Sequence, residues 1–142
     1  MTAIDFHTKV PDVVAYACRI LKIAYGKGAS VVVYHDDGAA LQRFNDTLWS
    51  FSALDFIPHA LAGSTQAAES PIVLTSSDVA LPHHAVILNL SLAVPPMFSS
   101  FERLIEFVPA SGEPLLKARE RYKFYKDRGY PIKTHEFREN QR

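Results

Sequence analysis

The apolar positions of this 142-residue chain change their period several times, and each change marks an element. Near the N-terminus, AIDFHTK is a short run suited to a strand. From Val13 to Tyr25 the period lengthens. Val13, Tyr16, Ala17, Ile20, Leu21 and Ala24 recur three and four positions apart, which predicts an amphipathic helix. Asp12 is placed to cap it, and Gly26 or Gly28 to stop it. SVVVYH is a continuous β-branched run of the kind found in strands buried on both faces. Asp36, Asp37 and Gly38 open a second helix, about residues 39–49, with Leu41, Phe44, Leu48 and Trp49 on its inner side. LWSFSALDFIPHALAG, residues 48–63, is as apolar as a core segment but fits neither period. Pro58 biases Ile57 away from helix, so the stretch reads as an aromatic loop.

AGSTQAAES then reads as a connector, PIVLTS as a strand, and LPHHAVILNLS as a strand centred on Val86 to Leu90. A short helix is expected from Pro96 or Met97 onward. LIEFVPA is a strand ended by Pro109. A third helix runs from about Pro114, a favoured first-turn residue, to Arg128, and Gly129 closes it. YPIKTHEF is a candidate last edge strand. Strands alternating with helices predict an α/β fold, with a mostly parallel sheet flanked by helices on both faces.

Composition narrows this only slightly. The length suits one domain with a core of its own. The single cysteine, Cys18, permits no intramolecular disulfide and sits where a helix would bury it. MTAIDFHTKV lacks a basic-then-apolar targeting pattern, and no apolar run approaches the length of a membrane span. The expected location is cytoplasmic. Charge changes the picture more. The net charge is zero, yet residues 113–142 carry nine basic and five acidic side chains. A partner drawn to that end should be anionic, either nucleic acid or an acidic peptide.

Several classes of chemistry find no motif in the chain. Tyr25-Gly-Lys-Gly28 follows a helix and precedes a strand, the reverse of a phosphate-binding loop. None of the six histidines stands in metal-ligand spacing, so no metal site is expected, and no nucleophile-elbow motif is present. His35-Asp36-Asp37 lies at a strand's C-terminal end, where α/β enzymes place their sites. It is also an ordinary helix start. No catalytic residue and no cofactor is assigned.

The helix KARERYKFYKDRGY stands out. Arg119, Lys123 and Lys126 share one side, beside an apolar stripe of Leu115, Ala118, Tyr122 and Tyr125. Two readings stay open on composition alone. One is an amphipathic helix with a solvated basic face. The other is an anion site with an aromatic wall, where Arg119 forks onto a carboxylate and Lys123 adds point charge.

LWSFSALDFIPHALAG taken together with RERYKFYKDRGY resembles the chi subunit of bacterial DNA polymerase III, a clamp-loader accessory protein. The likeness extends to the GK-x-x-VVV strand and the F-V-P…R-E-R-Y-K end, and covers nearly the whole chain; residues 64–81 are its least informative part. It implies a single Rossmann-like domain over residues 1–142 without nucleotide chemistry, and hence a non-catalytic adaptor. It implies two protein partners. One is the psi subunit, which joins chi to the clamp loader. The other is the acidic, phenylalanine-terminated tail of single-stranded-DNA-binding protein.

Residue by residue, the resemblance puts Trp49, Phe56 and Pro58 on the psi-facing side. It puts Val108, Arg119, Tyr122 and Lys123, with Lys126 nearby, at the tail pocket. Phe124, Asp127 and Arg128 stand toward the variable end of that helix, so the resemblance defines the centre of the pocket and not its rim. On this reading the loop is aromatic because its working state is bound. The alternative is that Trp49 and Phe56 close one end of the chain's own core; Phe51 and Leu54 are assigned to core packing in either case. Direct nucleic-acid binding by the basic helix competes with tail binding, although the chain is neutral overall and shows no stacking platform. A small α/β enzyme using His35, Asp36 or Asp37 is the third possibility.

Overall fold

In the computed structural model, which describes residues 1–51, 57–77 and 81–137, seven strands form one parallel sheet. The strands are β1 (Ala3–Val10), β2 (Val31–Tyr34), β3 (His59–Leu61), β4 (Ile72–Thr75), β5 (Val86–Asn89), β6 (Arg103–Pro109) and β7 (Ile132–Glu136). Their order across the sheet is β3-β4-β2-β5-β6-β1-β7. Three helices connect them: α1 (Val13–Gly26), α2 (Gly38–Ser50) and α3 (Glu113–Asp127). The α/β fold with helices on both faces is as the pattern predicts.

Strands β1, β2, β5 and β6 feed two cores, one on each face of the sheet. Val31, Val33, Ile72, Leu74, Leu88 and Phe107 face α1 and α2, meeting Ala17, Cys18, Leu21, Leu41, Phe44 and Leu48. Ile4, Phe6, Val32, Ile87 and Leu104 face the other way, onto Tyr125 of α3 and onto Phe98, which precedes β6. A strand with apolar residues on both sides, such as VVVY, is what such a two-faced sheet demands. Asp12 and Asp37 cap α1 and α2, the latter accepting from the Ala39 and Ala40 amides. Gly28 and Gly129 take left-handed backbone just beyond α1 and α3, with φ of 76° and 80°, the conformation that stops a helix at little cost.

Three expectations need correction. The aromatic stretch is not all loop: His59–Leu61 pairs with β4 as the edge strand β3. The small-residue connector holds a 3-10 turn at Ala67–Glu69. The helix expected near Met97 is a single 3-10 turn, Phe98–Ser100.

Strand β1 carries an irregularity that bears on function. His7 pairs with Phe107 and Val10 with Pro109, so two residues of β1 stand against one of β6. Without this bulge Val10 would share a face with Ile4 and Phe6. With it, Val10 joins the α1/α2 core beside Phe107. The extra turn is absorbed at Lys9, whose φ of 58° is the one positive value among the described non-glycine residues.

Candidate functional site

Helix α3 is where charge and shape meet. Its inner side is set by a polar network. Glu106, in the middle of β6, is fully buried. It accepts from Arg121 Nε at 3.0 Å, Tyr125 Oη at 2.6 Å and Asn89 Nδ2 at 3.0 Å. Arg121 also donates to the Leu92 carbonyl at 2.9 Å. Burial pushes the Glu106 carboxyl up, against the pull of Arg121 and the donated hydrogen bonds. Burial and then the Glu106 charge push the Tyr125 phenol up. The apolar stripe therefore divides, with Tyr125 and Ala118 buried in the core and Tyr122 exposed. Arg121 was not singled out from sequence. The signal was available, since a lone carboxylate inside a buried apolar strand requires a cation near it.

With Arg121 and Tyr125 turned inward, α3 presents Ala118, Arg119 and Tyr122 over the ends of β6 and β1. They line a cavity of about 420 Å³ together with Val108, Phe6 and Leu115. Its floor is apolar, and Tyr122 meets Phe6 edge-on at 5.2 Å between ring centroids. The Arg119 guanidinium has no hydrogen bond or ion pair among the described residues. Val108, Arg119 and Tyr122 are therefore brought together. Lys123 and Lys126 are exposed on the same helix but do not line this cavity. Lys123 Nζ is engaged with Asp127 Oδ2 at 2.6 Å. Phe124 and Arg128 are occupied with each other, the guanidinium lying 3.6 Å over the ring.

At the far side of the sheet, Trp49 ends α2 and is 46% exposed. Its ring lies against His59 of β3 at 3.8 Å. Burial holds the His59 imidazole below its ordinary range, and its Nδ1–H donates to the Ile57 carbonyl at 2.7 Å. Pro58 is half-buried next to this contact, and Phe51 packs against the core as expected. Phe56 and Leu54 lie outside the described residues.

The third candidate, His35-Asp36-Asp37, borders a crevice of about 370 Å³ at the strand ends. His35 Nδ1 accepts from the Asp37 amide at 3.0 Å, and Asp37 is committed to its cap. These groups act as a helix start. Among the described residues no three His, Cys, Asp or Glu side chains are grouped to hold a metal ion, and no helix is long and apolar enough to cross a membrane.

The pattern of the family described as "DNA polymerase III chi subunit, HolC" matches residues 1–133. The chain is similar to a Pseudomonas aeruginosa protein named DNA polymerase III subunit chi. They are 32% identical, over 95% of this chain and 96% of that one. Proteins of the same name from Haemophilus influenzae and Escherichia coli are 27% and 26% identical, over 83% and 94% of this chain and 83% and 89% of theirs.

Proposed function

Because this chain belongs to the DNA polymerase III chi family, an accessory subunit of the replicative polymerase, we propose that it is a cytoplasmic, non-catalytic adaptor that holds two protein partners. One is the acidic C-terminal tail of single-stranded-DNA-binding protein, bound in the α3 cavity. The other is a psi subunit, bound at the Trp49 patch. The observation that carries the first is an Arg119 without a partner among the described residues, beside an apolar slot.

A peptide that ends in an apolar residue presents its terminal carboxylate next to that side chain. Arg119 forks onto the carboxylate, while Val108, Tyr122 and Phe6 receive the side chain. Lys123 and Lys126 add positive field along the helix and steer the acidic tail toward it. The neutral overall charge favours a peptide over a nucleic-acid strand.

The test is calorimetric titration with an acidic peptide ending in Asp-Ile-Pro-Phe, beside its C-terminally amidated form. The expected result is micromolar binding that amidation abolishes. Arg119→Ala should weaken it about 10- to 150-fold, the value of a charge-assisted hydrogen bond. Equal binding of the acid and the amide would refute the carboxylate assignment. An oligonucleotide that displaces the peptide would favour direct nucleic-acid binding instead.

A further inference from the structure

The rim of the α3 cavity includes a cation on a different element. Lys9 of β1 lines the same cavity as Arg119 of α3, along with Thr8 and Thr134. Lys9 is the residue that absorbs the β1 bulge, in left-handed backbone at φ 58°. That conformation crowds the β-carbon of any L residue other than glycine, with asparagine next best tolerated. Bulges also re-aim side chains, and they are common beside functional sites. A lysine in this position is thus an expensive choice for the backbone alone. Its ammonium is not idle: it meets Glu136 Oε1 of β7 at 3.0 Å, with both side chains more than half exposed. An exposed pair of this kind contributes little to stability, so Lys9 can be drawn from Glu136 at small cost.

We propose that Lys9 is the specificity-determining cation of this pocket, reading the acidic side chains upstream of the bound carboxylate, and that Glu136 holds its place when the pocket is empty. This rests on the pocket being the peptide site. Arg119 recognises the end of the peptide and Lys9 its acidic approach, from two different elements of the fold. Glu136, left behind, repels the same acids and so tempers affinity.

The experiment uses the full chain and two peptides: the acidic one ending in Asp-Ile-Pro-Phe, and a copy with its aspartates replaced by asparagine. Lys9→Asn keeps a residue tolerant of left-handed backbone. It should weaken the acidic peptide about three- to fivefold, as expected for an exposed charge pair, and leave the neutral copy unchanged. Lys9→Arg should restore binding of the acidic peptide. Glu136→Gln, which does not touch the bulge, should strengthen the acidic peptide about twofold, within the same range.

Lys9→Asn binding both peptides like wild type, or weakening both equally, would overturn the inference. So would an unchanged affinity in Glu136→Gln. Arg119→Ala separates the two layers: if it weakens both peptides while Lys9→Asn weakens neither, the pocket stands and the role of Lys9 falls. If Arg119→Ala binds as wild type does, the pocket reading itself is wrong.

Discussion

Arg119 and Arg121 stand two positions apart in α3 and live in opposite environments. One is exposed and unpaired among the described residues; the other is 5% exposed and bound to Glu106. Helical geometry causes the difference, since residues two apart do not share a face. Charge pattern alone does not tell them apart, so only the exposed arginine was legible as a ligand group. The inner one was legible only through β6, where Glu106 interrupts LIEFVP. Arg121→Met should therefore destabilise the fold by about 3–5 kcal/mol, because it strands a buried carboxylate. Arg119→Ala, at the surface, should change stability by about 0.5 kcal/mol or less. Urea unfolding of the two variants checks this. Similar midpoints for both would mean that Glu106 does not depend on Arg121.

Among the elements, the helices and the strands of four or more residues were legible, and the three-residue ones were missed or misread. Helices α1, α2 and α3 announce themselves by periodicity and caps, and β2 by its β-branched run. Strand β3 has only three residues, bounded by Pro58 and Gly63, too few for alternation to register. It pairs through β4, a contact made at a distance in sequence. The pairing matters because it places His59 under Trp49 and turns an apparent loop into a firm platform for an aromatic anchor. Truncating Trp49 to alanine should cost the fold about 0.5–1.5 kcal/mol, the worth of an aromatic contact. On the proposed psi site, affinity for psi should fall about 30-fold or more, as expected for a hot-spot residue. Because Trp49 is the sole tryptophan, its fluorescence also follows the titration of the parent chain. Unchanged affinity with a large loss of stability would make Trp49 a cap on the chain's own core.

At the scale of the whole molecule, strand order decides what an adaptor of this fold can do. The alternation of strands and helices made the parallel α/β sheet legible, but not the order β3-β4-β2-β5-β6-β1-β7, which depends on pairings between distant segments. That order puts the Trp49 patch beside β3, at one edge, and the α3 cavity over β6, β1 and β7, at the other. Six strand intervals separate the two edges, about 29 Å at ordinary strand spacing. The sheet between is packed on both faces. Sites so far apart, sharing no residue, behave independently unless a two-state element couples them. Titrating the acidic peptide into the chain alone and into the chain saturated with psi should give dissociation constants within about twofold, the usual limit of additivity. Equal values would mean that both partners are held at once, which an adaptor between the clamp loader and single-stranded-DNA-binding protein requires. A loss of peptide binding on saturation would mean that the partners exclude each other, and that the chain passes from one to the other instead of bridging them.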